Sequence, residues 1–568
     1  MPGFSGKQVK AGAFVALVAM LLCVAGLFLA SRVQSSVGVT VTEVRFRGSS
    51  GAQMRALLFR PAGVTEAKPA PAILAVHGYL NSAEMQGNFA TEYARRGYVV
   101  LAPDQRGHGA SDPVSFADGF GGPDALAYLR SLPFVDRDNI GLEGHSMGGW
   151  TVLRAAEAHP DGYRSLVLEG SSVGAPFAPE GTTAFPRNLL VVYGTRDEFG
   201  GFMWGPEAPL ATGSVGKLRT LFGSAEPVVP GRVYGQVEDG SARMLLTPDV
   251  THAWLHESSA GITPAIEWFD RTLKGGKPLP ASDQIWPWRE AGDLVALLSI
   301  PALIAGAMTA AGGQIGGRSM VADDASAHTA SPRGGLELAA IAIAPALLFI
   351  PACMLTEAVL GQNGLFRQTF TNQFAGWALL SAGLSLLALR RKGVGLPMGQ
   401  APRALAIAVA ALLPAYLLVL ATDRLLHVNP SWWFITVRPV TMERARDFLL
   451  YAPFFTMSCL ASLCLVQSVS PLHLGSMAGA MLRATAAMAG GFALFLLAQY
   501  GVLAVTGRLL LPGEGLRVIS AIGFAVFLAF AGIFGTVSQR VLGSIVPGAL
   551  VSGLFVTWVL VATQPIGA

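Results

Sequence analysis

Charge is the first thing this sequence lacks. Of its 568 residues only 13% are Asp, Glu, Lys or Arg, against 52% hydrophobic, where an average globular chain carries about a quarter charged residues. The deficit is uneven. Charges occur at ordinary density from about 33 to 290, and long apolar runs dominate from 292 onward. A chain of this length exceeds one ordinary domain, so the pattern implies a soluble domain followed by a membrane domain. Cysteine is scarce too. Cys23, Cys353, Cys459 and Cys464 all fall inside apolar runs, which excludes a disulfide framework or a cysteine metal site in the polar half. No Lys/Arg tract with interleaved aromatics occurs and the net charge is only +4, so nucleic acid is not an expected partner.

What is present divides into three stretches. Residues 11–30 are apolar throughout and follow Lys7 and Lys10; at 1.5 Å per residue they span roughly 30 Å, the hydrocarbon thickness of a bilayer. A cleaved signal peptide would have a shorter apolar core and a small residue three positions before the cut, where a cut after Ala30 would put Phe28. Residues 1–32 therefore read as an uncleaved anchor. Residues 33–290 alternate β-branched runs with helical stretches, the signature of a mostly parallel sheet flanked by helices. Strands are expected at 39–46, 54–59, 72–78, 98–104, 139–144, 165–170, 189–194 and 242–249, and helices at 85–96, 123–131, 149–159 and 262–274. Residues 291–568 offer eight further spans, at about 293–311, 338–359, 373–389, 404–421, 448–467, 484–506, 518–536 and 542–562. They predict an all-α polytopic domain in contact with the lipid bilayer. With Lys7 and Lys10 in the cytoplasm, alternation places the loop after Arg390, Arg391 and Lys392 inside, as the positive-inside rule requires, and residues 33–290 outside. Loop 422–447 also falls outside, against the rule, although it carries Arg424, Arg438, Arg444 and Arg446.

The chemistry centres on Gly144-His145-Ser146-Met147-Gly148, a G-x-S-x-G between an expected strand and an expected helix. That context strains the serine so that its Oγ projects, with small glycines two residues to either side. A serine hydroxyl needs a base, and the base an orienting acid; in this arrangement the chain order is Ser, then Asp or Glu, then His. Asp197 follows the strand at 189–194 and His252 follows the one at 242–249, so Ser146, Asp197 and His252 fit the order. Glu169, at the end of 165–170, is a rival for the acid. His256 reads as solvated, His145 as packing, and His108 and Arg106 as organisers of the loop after the fourth strand. The second backbone donor to an oxyanion comes from the loop after the third strand, which assigns Tyr79 beside Met147; His77 there reads as a brace.

The segments VHGY, DQRGHGAS, GHSMGG, YGTRDEF and THAW resemble the α/β-hydrolase superfamily, closest to bacterial lysophospholipase- and esterase-like members, over about 50–275. The resemblance implies Ser146 as nucleophile, His252 as base, Asp197 as orienting acid, Tyr79 and Met147 as oxyanion donors, and no metal or organic cofactor. It does not explain the eight C-terminal spans. Too few residues separate the strands at 165–170 and 189–194 for a helical lid, leaving segment 198–240 to cover the site, with Phe202, Met203 and Trp204 suited to an apolar acyl pocket. A tethered hydrolase of this kind suggests a lipid or acyl-ester substrate. A peptidase or soluble-ester hydrolase merely anchored by the helices, and a hydrolase serving a transporter-like membrane domain, are the alternatives. In loop 422–447, Trp432, Trp433 and Phe434 accompany the arginines. They read either as an interfacial belt or as one wall of the substrate entrance, with Arg438 and Arg444 on an anionic head group.

Overall fold

The protein is described here from a computed structural model, which covers residues 6–205, 213–315 and 334–567. Parts of segment 198–240 and of the loop near 312–337 thus lie outside the described residues. Nine strands form the main sheet: β1 (Thr40–Arg47), β2 (Gln53–Arg60), β3 (Ala70–Val76), β4 (Val99–Pro103), β5 (Val135–His145), β6 (Ser165–Glu169), β7 (Leu189–Val192), β8 (Val233–Tyr234) and β9 (Arg243–Leu246). Their order is β1-β2-β4-β3-β5-β6-β7-β9-β8. The six from β4 to β9 in that row run parallel, and β1, β2 and β8 are antiparallel additions at the edges. The eight strands expected from the sequence are all there; the two-residue β8 carries too little pattern to be read.

In chain order the helices of this domain are α1 (Gly6–Gln34), which precedes the sheet, then α2 (Gly87–Arg95), α3 (Gly122–Ser131), α4 (Met147–Ala158), α5 (Gly200–Trp204), α6 (Gly216–Phe222) and α7 (Ser259–Thr272). Every residue of β3 is buried, as a parallel strand covered on both faces must be. Leu74 and Val76 pack with α3 and α4, while Ile73 and Ala75 pack with α2 and α7, because alternate side chains of a strand point to opposite faces.

The remaining helices are α8 (Trp286–Ile315), α9 (Gly334–Val359), α10 (Thr369–Arg391), α11 (Ala401–Leu426), α12 (Met442–Val469), α13 (Met477–Thr506), α14 (Gly515–Leu542) and α15 (Val546–Thr563). With α1 they make nine helices, among the described residues, that are long and apolar enough to cross a membrane. α15 is buried on nearly every face, with its neighbours around it. α1 and α8 pack antiparallel. Gly12, Ala19 and Gly26 on one, and Gly292, Ser299 and Gly306 on the other, recur every seven residues. A Cβ on Gly292 would stand 2.5 Å from the Gly26 carbonyl oxygen, and one on Gly306 would stand 2.6 Å from the Ala16 nitrogen. Small residues on one stripe let two apolar helices approach until their backbones touch, which is where dispersion contacts are densest.

The ends of these helices nearest the sheet domain are tied to it. Asn81 donates its backbone N–H to the Thr563 carbonyl at 3.0 Å and its side-chain amide to the Phe434 carbonyl at 2.7 Å. The Ile566 N–H donates to the Gly107 carbonyl and the Ile566 carbonyl accepts from the Ser115 N–H, both at 2.9 Å. Arg289, near the start of α8, reaches Asn88 at 2.9 Å and the Glu84 carbonyl at 3.1 Å. Two of the four arginines in 422–447 have such local duties. Arg444 donates to the carbonyls of Gly107, Val561 and Gln564, and Arg446 donates to that of Gly364 at 3.0 Å. From the α1–α8 contact, Gly292→Leu should cost about 1–3 kcal/mol through overpacking, read as a lowered melting temperature in detergent. Leu298→Ile, at an exposed position of the same helix, should leave the melting temperature unchanged.

Candidate active site

β5 ends at His145 and α4 begins at Met147, leaving Ser146 at the corner with φ 54° and ψ −123°. A non-glycine residue holds that conformation only under constraint. Here the Ser146 N–H donates to the Glu169 carbonyl at 2.8 Å. A Cβ on Gly144 would fall on the Gly148 carbonyl, and a Cβ on Gly148 would fall on the Val76 carbonyl, so the corner closes only with glycine on both sides.

β7 and β9 are parallel neighbours, and the loops leaving their C-terminal ends carry Asp197 and His252. His252 Nδ1 lies 2.7 Å from Asp197 Oδ2. The other carboxylate oxygen of Asp197 accepts from the Tyr193 hydroxyl at 3.0 Å and from the Phe199 N–H at 2.8 Å. Burial alone would lower the His252 imidazole; the Asp197 carboxylate, its hydrogen bond and Glu198 outweigh burial and raise it above its ordinary value. Its neighbours go the other way. Burial and adjacent imidazoles pull His145 well down and His256 to about 3, so both are neutral.

Glu198 was not singled out in the sequence. Its Oε2 accepts the His252 backbone N–H at 2.8 Å, and its Oε1 accepts the hydroxyl of Tyr500 on α13 at 2.9 Å. Burial, then the charge of Asp197, pushes this carboxyl up to about 7. The only signal was its place beside Asp197 in an Arg-Asp-Glu run, and nothing in the apolar run around Tyr500 pointed to it.

The other residues named from the sequence divide. Tyr79 and Met147 line the same cavity as Ser146 and His252; Met147 is the first residue of α4, so its N–H has no acceptor within the helix. The Tyr79 carbonyl is held by His108 Nε2 at 2.5 Å, and His77 Nε2 accepts the Gln105 N–H at 3.2 Å, so both histidines brace the loop. Arg106 pairs with Asp118. Glu169 is buried, its carboxyl oxygens have no hydrogen-bond partner among the described residues, and burial raises its pKa well above the carboxylate range. His256 is buried and not solvated as expected: its ring packs 3.9 Å from that of His145, because the loop after β9 folds back over the corner. His145 Nε2 meets the His252 carbonyl at 3.1 Å.

The cavity holds about 330 Å³. Phe202 and Met203 line it; Trp204 does not, and donates instead to the Ser171 carbonyl at 3.1 Å. Part of the wall comes from the helical region, through Thr369, Phe370, Trp433, Phe434, Leu516 and Ile519. The segment Ser431–Thr436 folds as a small hairpin, β10 (Ser431–Trp432) and β11 (Ile435–Thr436), and Trp433 packs 5.5 Å from Trp254, two residues past His252. The hairpin aromatics reach the cavity, but Arg438 and Arg444 are buried away from it: Arg444 is held by backbone carbonyls, and Arg438 lies among the charges of Glu84 and Asp423. Among the described residues no group of three or more His, Cys, Asp or Glu could hold a metal ion.

Residues 67–195 match the family model of the serine aminopeptidases, S33. A monoacylglycerol lipase of Mycolicibacterium smegmatis is 29% identical over 147 residues, 24% of this chain and 50% of that one. The chain thus spans about half the length of this curated relative. Among solved structures, an esterase of Pyrococcus furiosus is 15% identical over 42% of this chain and 96% of its own, with a TM-score of 0.31. A hypothetical protein of Pseudomonas aeruginosa is 16% identical over 42% and 95%, with a TM-score of 0.29. The six parallel strands, the strained corner at Ser146 and the family-model match make this part of the chain an α/β-hydrolase domain, accompanied by nine apolar, membrane-like helices.

Proposed function

We propose that the protein is a membrane-bound serine hydrolase that cleaves the ester bond of a lipid or lipid-linked substrate. The observation that carries this reading is the cavity at Ser146, whose walls are apolar and come from both the hydrolase domain and the helices. A lipid ester presents its carbonyl where such a cavity would meet a bilayer. The match to a monoacylglycerol lipase supports an acyl ester. The family model is named for aminopeptidases and favours a second reading, cleavage of peptides. Among the described residues the cavity lining contains no Asp or Glu to receive a peptide's terminal ammonium, so the ester reading is preferred. In this proposal residues 1–32 anchor the chain, 33–290 form the hydrolase domain on the extracytoplasmic side, and 291–568 form the membrane domain.

Ser146 Oγ attacks the carbonyl while His252 Nε2 takes its proton, and Asp197 holds the Nδ1–H and stabilises the imidazolium. The N–H groups of Tyr79 and Met147 receive the oxyanion. His252 returns the proton to the leaving alcohol, and water then hydrolyses the acyl-enzyme by the same route. No cofactor is involved.

Ser146→Ala should abolish labelling by a fluorophosphonate probe, and persistent labelling would remove Ser146 from this role. His252→Ala should do the same, since members of such a triad act as a unit. Asp197→Asn should lower kcat by about four orders of magnitude, while Glu169→Gln should leave kcat nearly unchanged; the reverse pattern would transfer the acid to Glu169.

Because the base must be neutral, activity should fall as pH drops through the His252 pKa, which its carboxylate neighbours raise above the ordinary imidazole value. Glu198→Gln removes one of those charges, so the acid limb of kcat/KM should move to lower pH; a limb that stays in place would separate Glu198 from the titration. A reporter active only in the cytoplasm, fused after residue 280, should remain silent, and a bright signal there would invert the orientation.

A further inference from the structure

We propose that the acyl chain of the substrate passes from the Ser146 cavity into the helical bundle itself and lies along one face of α14 as far as Phe527. This rests on the ester-hydrolase reading and adds to it where the chain goes. A second cavity of about 40 Å³ adjoins the first, and the two share Leu80 and Phe434. On α14 the first cavity is lined by Leu516 and Ile519 and the second by Ser520, Gly523, Phe524 and Phe527. Those six positions fall at i, i+3, i+4, i+7, i+8 and i+11, which is a single face of a helix. On α10, Phe370 lines the first cavity and Phe374, one turn further along, lines the second. Two helices therefore lead from one cavity to the next, and Val559, Leu560 and Thr563 of α15 close the third side.

The lining suits a hydrocarbon. Ser520 donates its hydroxyl to the Leu516 carbonyl at 2.7 Å, and Thr563 donates to that of Val559 at 2.8 Å, so these hydroxyls are satisfied within their own helices. Asn81, Thr436 and Gln564 also line this cavity and give it one polar edge; along the α14 stripe itself a head group would lose its hydration with few new partners, which is costly, whereas an alkyl chain would only gain burial. From Leu516 to Phe527 the helix rises about 16 Å, roughly half the hydrocarbon thickness of a bilayer, so a chain drawn from lipid stays at a depth it already occupies.

Gly523 marks the path. At Gly26 and Gly292 a Cβ would collide with a facing backbone, but at Gly523 it would meet only the Phe527 ring, at 3.5 Å. Packing between helices does not demand glycine there, and its absent side chain leaves room beside the stripe. At 40 Å³ the lower cavity is narrower than a long chain, so the side chains of Leu80 and Phe434, which stand between the two cavities, must swing aside as the chain enters.

The test uses the full-length protein in detergent, with para-nitrophenyl butyrate and para-nitrophenyl palmitate as substrates. Gly523→Leu should lower kcat/KM for palmitate by about tenfold or more, the scale on which a pocket discriminates small changes of apolar shape, and should change the butyrate value less than about twofold. An unchanged ratio between the two substrates would overturn the proposal. Should Gly523→Leu fail to fold, the wild-type protein decides the matter. A hexadecyl fluorophosphonate with a diazirine at the chain end, bound to Ser146 and irradiated, should mark peptides of α14 or α15. Marking of segment 198–240 or of detergent alone would place the chain elsewhere and overturn the proposal. Failure of the wild type to cleave butyrate or to accept the probe would instead count against the hydrolase reading.

Discussion

The close antiparallel contact of α1 with α8 is the constraint on which the arrangement depends. One helix leads into the hydrolase domain and the other leads out of it, so the domain is held at both ends over a single point of the bundle. Glycine at 12, 26, 292 and 306 lets the two backbones meet, and the domain between them has little freedom to tilt. Its orientation is then completed by polar ties from α2, the β3 loop and the 107–115 turn to the near ends of α8, α12 and α15. Each tie satisfies a buried donor or acceptor that would otherwise be stranded between two surfaces.

That orientation turns the C-terminal edge of the parallel strands toward the helices. In an open α/β sheet this edge is where ligands bind, and here it gains a second wall. Trp433 and Phe434 come from the hairpin between α11 and α12, Phe370 from α10, and Leu516 and Ile519 from α14. The contact between Tyr500, Glu198 and the His252 N–H extends the same coupling to the loop that carries the imidazole. The connection after β6 is too short for a helical lid, and the helical region contributes to the cavity wall.

Within the hydrolase domain the local physics is self-consistent. Gly144 and Gly148 admit the corner, the corner strains Ser146, and the Glu169 carbonyl holds its N–H. Three histidines crowd the same space, yet their environments separate them: burial keeps His145 and His256 neutral, while the carboxylates beside His252 raise its pKa. Glu169, the nearest rival acid in the sequence, has burial but no hydrogen-bond partner among the described residues, and a buried carboxyl in that condition favours the uncharged form.

Much of this was legible in the residues alone. β-Branched apolar runs alternating with helical stretches marked eight strands, apolar runs of some 20 residues marked the long helices, and the order of Ser146, Asp197 and His252 followed from which strand each one ends. Such features are written in local pattern, because hydrophobic periodicity and turn chemistry act over a few residues. The tertiary structure decided what depends on residues far apart in the chain. It placed Phe202 and Met203 in the cavity but Trp204 outside, took Arg438 and Arg444 from an imagined head-group site into buried contacts, and buried His256. It also brought Tyr500 to Glu198 across 302 residues. An arginine in an external loop and an arginine clamped on carbonyls look alike in sequence, since the difference lies in which backbone oxygens the fold happens to leave unpaired nearby.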